Sequence, residues 1–249
     1  MSCSRCLTEP RARRGILPAM LPARLALVFA LGLPLTSACG KRGPNHNDAP
    51  LTPAERLSAL VSPATTVEYT EVTSVNLSAD HQRVAVIDRW SPATTTGDTT
   101  LYEVTTVERG PDGAERPRER ARYELGPEGW RLLGTEVNGR AYAAFEPPQV
   151  ILPADPKVGA FWTNAHRVGD ATRERSCGIT PSGACEGGLV SACVTTMGDR
   201  SVKLNQHFCP GLGWVGYTGE VGLPGGAQLV LRAESARRDG RPLPAIPEE

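Results

Sequence analysis

Cysteine is the residue type whose number and spacing most clearly indicate chemistry in this chain. Four of the seven cysteines, Cys177, Cys185, Cys193 and Cys209, lie in the last third and are separated by eight, eight and sixteen residues. Structural zinc sites usually pair cysteines about two to four residues apart, and His207 would be a further ligand candidate of such a site. An even number of cysteines in an exported domain favours disulfides instead. We therefore predict two disulfides and no metal site.

Strand register selects one of the three ways to pair these cysteines. Residues 189–208 have the pattern of a hairpin. With a two-residue loop, Cys193 lies opposite Leu204, which places Cys209 on the other face of the sheet. With one more loop residue, Cys193 and Cys209 would be roughly 13 Å apart, too far for a disulfide. The register predicts the pairs Cys185–Cys209 and Cys177–Cys193.

Cys39 lies in a different setting, just after the apolar run from Leu25 to Leu35. A basic start, an apolar run and small residues are typical of a secretory signal, and Thr36-Ser-Ala38 directly before a cysteine resembles a bacterial lipobox. This resemblance implies cleavage before Cys39, diacylglycerol on its thiol and fatty acyl chains such as palmitate. The run is shorter than the roughly 20 residues of a membrane-spanning helix.

Residues 1–38 are accordingly predicted to be a lipoprotein signal peptide, and a start at Met20 would give it an ordinary length. The remaining residues include 22 basic and 26 acidic side chains, because the leader contains five arginines and one glutamate. This mildly acidic balance argues against nucleic-acid binding. We expect residues 39–51 to be a flexible tether, 52–236 a single β-rich domain and 237–249 a flexible tail.

The domain pattern begins with a short helix and continues with strands. Thr52-Pro-Ala-Glu55 has the form of a capping box with proline at the first helical position. Later segments are rich in β-branched and aromatic residues, with turn residues every eight to twelve positions. Asn138-Gly139 is the strongest hairpin signal. The fold class predicted is all-β, an antiparallel β-sandwich or curved open barrel with a short N-terminal helix.

A family resemblance emerges over residues 123–220. Its elements are Pro147-Pro148, Leu152-Pro153, Val158-Gly159 with Trp162, and Pro210-Gly-Leu-Gly-Trp-Val215. This order resembles a group of uncharacterised bacterial envelope lipoprotein β-domains. The resemblance implies a curved antiparallel sheet without known catalytic residues. The four cysteines depart from the pattern and suggest an insertion around residues 177–188.

The sequence contains no motif that would assign a reaction or a cofactor. The run Gly211–Gly216 matches GxGxxG, but the glycines and proline after it prevent the helix that a dinucleotide site requires. A nucleophile elbow, a zinc-binding HExxH and a phosphate-binding loop are not found. Ser182 lacks the first glycine of an elbow, and His81, His166 and His207 are isolated in sequence. We predict that the protein is not an enzyme and needs no cofactor.

The four tryptophans are the remaining candidates for function. In a chain with 5% aromatic residues they serve most simply as core-filling groups. We predict that Trp162 and Trp214 are buried in one core, and leave Trp90 and Trp130 as candidates for ligand contact.

Two hypotheses of function follow. The first is a non-catalytic envelope lipoprotein, anchored through acylated Cys39, that acts as a scaffold or binds an envelope protein partner. The alternative is a carrier for a lipid or other apolar ligand, which a continuous pocket would favour; a hydrolase without a recognisable motif comes third. Gly40 after the cysteine, rather than aspartate, resembles lipoproteins of the outer membrane that face the periplasm. The lipid bilayer is the expected partner of the acyl chains.

Overall fold

A computed structural model of the protein describes residues 51–76, 81–198, 200–223 and 227–247. Cys39 and the predicted signal peptide lie outside the described residues, as does the tether except for Leu51. The described part contains the helix α1 (Pro53–Val61) and fourteen strands. The strands are β1 (Thr66–Val75), β2 (His81–Trp90), β3 (Thr94–Thr96), β4 (Thr99–Arg109), β5 (Glu115–Gly126), β6 (Gly129–Val137), β7 (Ala143–Leu152), β8 (Phe161–Val168), β9 (Ala171–Pro181), β10 (Leu189–Met197), β11 (Arg200–Cys209), β12 (Gly213–Gly222), β13 (Gln228–Arg238) and β14 (Arg241–Pro242).

Twelve of the strands close into one antiparallel barrel. Successive strands of the barrel lie side by side. The short strands β3 and β14 are not part of the barrel; β3 pairs with β4, and β14 pairs with β13. Closure comes from β1, which pairs with β2 on one side and β13 on the other, from Val67↔Arg238 to Val75↔Leu229. The predicted sandwich or curved open barrel is therefore wrong. The alternation of single strands is a local signal, whereas closure depends on contacts between the two ends of the domain.

Helix α1 covers the end of the barrel at which β1 begins. Its N-terminus has the predicted capping box: the Thr52 side chain accepts a hydrogen bond from the Glu55 backbone, and the Glu55 carboxylate accepts one from the Thr52 backbone. Leu57, Leu60 and Val61 are buried in the main core. No helical segment within the described residues is long and apolar enough to cross a bilayer.

The main core fills the α1 end of the barrel. It includes Trp130, Leu152, Ile179 and Phe208, all less than one tenth exposed. Wider barrels than those of eight strands leave more interior than side chains alone fill. The interior beyond this core is lined by both polar and apolar side chains, and it contains the cavity described below.

The barrel has a weak backbone seam between β7 and β8. Only Glu146 and Arg167 pair in the ladder of these two strands, since Pro147 and Pro148 have no N–H to donate. Side chains bridge the seam instead: Asn164 Nδ2 donates to Pro148 O at 3.2 Å and Trp162 Nε1 to Val150 O at 3.4 Å.

The sequence pattern does not predict strand β9. Its register places Cys177 opposite Trp162 on β8 and Cys193 on β10. Arg175 is therefore on the same inward face as these residues and is 3% exposed. An inward-facing arginine breaks the apolar-in, polar-out alternation that reveals a strand.

Two disulfides join the same cysteine pairs that the register predicts. Cys177–Cys193 connects neighbouring strands with 4.1 Å between Cα atoms, and Cys193 lies opposite Leu204 on the other side. Cys185–Cys209 ties the β9–β10 loop to the end of β11, with a Cα separation of 6.1 Å.

The C-terminal segment forms a second, smaller core on the outside of the barrel. Ile246 is 6% exposed and packs with Val215 and Cys209. Residues 237–247, within the segment expected to be a flexible tail, thus include the end of β13, the strand β14 and a buried side chain.

Candidate functional site

A cavity of about 390 Å³ lies inside the barrel. Its wall combines aromatic side chains near α1 with ionisable side chains of β1, β2 and β5. A second cavity of about 260 Å³ lies between β13 and the C-terminal segment and has no aromatic residue in its lining. The interior cavity is the better candidate site, because ligand pockets are mostly apolar and aromatic with a few polar groups.

Three neighbouring strands place a row of polar side chains in the cavity wall. Asp88 on β2 lies opposite Thr106 on β4, which in turn lies opposite Glu119 on β5. Thr106 Oγ1 donates a hydrogen bond to Asp88 Oδ1 at 2.7 Å. The row exists because residues paired across a sheet share one face.

An aromatic stack lies next to this row, toward α1. Trp90 is two residues from Asp88, and Tyr123 is four residues from Glu119. The Tyr123 and Trp130 rings are stacked with centroids 4.8 Å apart, and Trp90 is stacked with Trp130 at 6.0 Å. The intermediate positions of the wall, Val104 and Ala121, are small, which leaves space between the stack and the carboxyl groups.

A second aromatic group lines the cavity from β1 and β12. Tyr69 meets Trp214 edge-on with centroids 5.3 Å apart and Tyr217 at 6.2 Å. The Tyr217 hydroxyl donates to the Glu71 carboxylate. Burial, and next this hydrogen bond, raises the pKa of Tyr217, so the phenol stays protonated.

The one ion pair of the cavity wall in the described residues joins Glu71 and Arg118. Arg118 Nη1 is 2.9 Å from Glu71 Oε1, and Nη2 donates to Oε2 at 3.1 Å. This bidentate geometry uses both carboxylate oxygens and both terminal nitrogens of the guanidinium. Both terminal nitrogens of Arg118 are therefore engaged by Glu71.

Asp88 and Glu119 have no comparable cationic partner among the described residues. Burial raises the pKa of Asp88 to about 6, although the hydrogen bond from Thr106 acts to lower it. Burial also raises the pKa of Glu119, with Arg118 acting in the opposite direction. Both carboxyl groups therefore carry their charge at a cost in free energy.

Two buried polar atoms of the cavity wall make no hydrogen bond within the described residues. They are Trp90 Nε1, a donor, and Gln206 Oε1, an acceptor. Because buried polar groups are normally paired, these two atoms are exceptions among the residues that line the cavity.

The opposite wall of the barrel, on β8 and β9, is basic. Arg175 donates from Nε to Cys177 Sγ at 3.1 Å and from Nη2 to Cys193 Sγ at 2.9 Å. Burial lowers the pKa of Arg175 to about 10. Burial, with Arg173 and Arg175 nearby, lowers the pKa of His166 to about 4, so this histidine is neutral at pH 7.

Ser182 and His207, isolated in sequence, meet in the structure. Ser182 Oγ and His207 Nδ1 are 3.1 Å apart, and both residues are less than one tenth exposed. Ser182 Oγ also accepts a hydrogen bond from the Ala184 backbone. Neither residue lines either cavity. The contact connects the start of the β9–β10 loop to strand β11.

The two candidates for ligand contact, Trp90 and Trp130, both line the cavity. Trp130 is 4% exposed and belongs to the core as well. Trp162 and Trp214, which we predicted to be buried, are partly buried and pack against the same core. Asp88 and Glu119 are not among the site residues predicted from the sequence. An acidic residue two positions from a tryptophan in a strand, as in Asp88-Arg-Trp90, places both on one face and was the available signal.

The comparisons with known proteins identify no family. No family model matches the chain, and no curated protein matches it in sequence. One solved structure, a candidate lipoprotein from Parabacteroides distasonis, aligns with 72% of this chain and 97% of its own at 7% sequence identity and a TM-score of 0.35. A likeness this distant carries no argument about function.

Proposed function

We propose that the protein is a non-catalytic envelope lipoprotein that holds a small amphiphilic ligand inside its barrel. The observation that carries the proposal is the interior cavity of about 390 Å³, with an aromatic stack on one side and carboxyl groups on the other. Its volume falls within the range of about 300–1,000 Å³ that is usual for ligand pockets.

The cavity favours the carrier over the scaffold. A scaffold needs only an outer surface and is most stable with a filled interior, because empty interior volume costs stability. A cavity lined by Trp90 and Trp130 is better suited to binding a small molecule. The wall is not purely apolar, so the proposed ligand is amphiphilic and not a simple hydrocarbon.

The proposed location rests on Cys39 and on the cysteines of the domain. The lipobox-like sequence supports a lipid anchor at the cell envelope, and the presence of glycine at position 40 supports the outer membrane facing the periplasm. The two disulfides support export to an oxidising compartment.

Mass spectrometry of the intact, acylated protein tests the function. The protein is purified in a non-ionic detergent and denatured, and the released small molecules are compared with those from Ala121→Phe. This substitution fills the space between the aromatic stack and the carboxyl row, and Ala165→Phe, on the exposed face of β8, is the matched control. We expect a molecule that accompanies the wild type and Ala165→Phe but not Ala121→Phe. The proposal is wrong if equal amounts are released from all three folded proteins, or nothing from any.

A further inference from the structure

This inference rests on the function proposed above, in which the interior cavity binds a ligand. We propose that the ligand is a small organic amine. Its ammonium group lies against Asp88 and Glu119, and its carbon skeleton packs on the Trp90–Tyr123–Trp130 stack.

The charges of the cavity wall favour a cation. The acidic and basic side chains of this wall are three carboxyl groups and two arginines, while Arg175, which donates to the disulfide sulfurs, lies outside the lining. Arg118 is paired with Glu71. Arg238 lies at the α1 end, where it donates to the backbone carbonyls of Ser62 and Leu212. Asp88 and Glu119 are left without an ion pair in the described residues, so a bound cation would offset the cost of burying them and an anion would add repulsion.

The spacing of the two carboxyl groups suits a single ammonium group. Adjacent strands lie roughly 4.8 Å apart, so the backbones of Asp88 and Glu119, with β4 between them, are about 10 Å apart by the same spacing. Two acidic side chains that extend over Thr106 from either side can both reach an ammonium group placed above it. Thr106 donates to Asp88 and thereby orients that carboxyl group.

The neighbouring aromatic stack suits the rest of an organic cation. Aromatic faces attract cations within about 6 Å of the ring centre and bury apolar surface as well.

A metal ion fits this wall poorly. Calcium and magnesium take about six or more oxygen ligands, and Glu71 is already engaged by Arg118 and Tyr217. Within the described residues, no group of three or more histidine, cysteine or acidic side chains is arranged to hold a metal ion. The adjacent rings cannot supply ligands, whereas they can pack against carbon atoms.

A matched set of probes tests the charge of the ligand. Octylammonium, octanol and octanoate share a chain length and differ in head-group charge at pH 7.5. Each is titrated by calorimetry into the ligand-stripped full-length protein, with tryptophan fluorescence as the second readout. We expect octylammonium to bind at least tenfold more tightly than octanol, and octanoate to bind most weakly.

Two substitutions assign the preference to the carboxyl row. The double variant Asp88→Asn with Glu119→Gln should bind octylammonium and octanol about equally, and should bind octanol as the wild type does. Glu174→Gln, on the exposed outer face of β9, is the control and should retain the preference. Thermal unfolding checks that each variant is folded; if the double variant does not fold, Glu119→Gln alone is used and should reduce the preference.

The outcomes separate the two proposals. Octanol or octanoate binding as tightly as octylammonium would overturn the amine inference and leave the carrier function intact. The inference also fails if the preference survives in the folded carboxyl variants, or if the molecule released from the purified protein has no cationic group. If no probe binds and the wild type releases no molecule, the carrier function itself is wrong.

Discussion

Asp88 shows how a single partly buried carboxyl group links the stability of the barrel to pH. Its pKa rises from 3.8 in the unfolded chain to about 6 in the folded one, chiefly through burial. Between these values the folded barrel keeps a proton that the unfolded chain has released. The contribution of Asp88 to the free energy of unfolding is therefore greatest below about pH 4 and falls as the pH rises to about 6, by on the order of 3 kcal/mol.

We expect Asp88→Asn to stabilise the ligand-free protein at pH 7 and to have little effect at pH 4. Glu71, Arg118 and Glu119, which face this site, are present in both proteins, so the difference between them isolates Asp88. Urea unfolding midpoints at the two pH values measure the effect, with Asp98→Asn in an exposed turn as the control. An equal change at both pH values would contradict it. His166, whose pKa is lowered to about 4, acts in the opposite direction in both proteins, because its contribution is lost as the pH falls.

The tryptophans are predicted to differ in their contribution to stability. Trp130 is 4% exposed and stacked on Tyr123, whereas Trp214 is only partly buried. A buried tryptophan replaced by alanine typically costs about 3–5 kcal/mol. We expect Trp130→Ala to lower the free energy of unfolding by about that amount and Trp214→Ala by less, measured by urea denaturation. Equal losses would mean that the two rings are equally packed.

Among the elements, β7 and β8 depend most on side chains for their pairing. We expect Asn164→Ala to cost about 1 kcal/mol, because it removes the bond to Pro148 O and leaves a partly buried carbonyl without its donor. Hydrogen exchange should become faster in β7 and β8 and stay unchanged in β4 and β5. Thr163→Ala, on the exposed face of the same strand, is the control. Faster exchange spread evenly over the barrel would contradict a local seam.

The disulfides test the register of β9, β10 and β11. Peptide mapping without reduction should give two linked products, one that joins Cys177 to Cys193 and one that joins Cys185 to Cys209. Reduction of the sample before digestion provides the control. A peptide that links Cys193 to Cys209 would exclude the register in which Cys193 faces Leu204.

Local signals predicted the individual elements more fully than their arrangement. The capping box at Thr52 and Glu55 and the hairpin register at Cys193 depend on residues close in sequence, and both are present. Asn138 and Gly139 do adopt positive φ angles, but β7 resumes only at Ala143, so the connection is longer than the two-residue turn predicted. Strand β9 was missed because Arg175 faces inward.

At the scale of the whole molecule, closure creates the candidate site. Asp88, Thr106 and Glu119 are distant in sequence and meet only through the pairing of β2, β4 and β5. Tyr217 on β12 reaches Glu71 on β1 across the intervening strand β13, which pairs with both. A sandwich would have packed the two faces together as a filled core. The closed barrel has an interior instead, and this interior could not be read from the alternation of any one strand.

The last prediction concerns how the barrel is held at the envelope. Cys39 is predicted to carry the lipid and Leu51 begins the described residues, so about a dozen residues separate anchor and domain. We expect Cys39→Ala to lose acyl labelling and to leave the membrane fraction while it retains both disulfides and the same thermal unfolding. Ser37→Ala, which keeps a small residue before the cysteine, is the control and should stay acylated. A Cys39→Ala protein that remains in the membrane fraction with an uncleaved signal segment would contradict the lipoprotein anchor, and the barrel would then be held by another part of the chain.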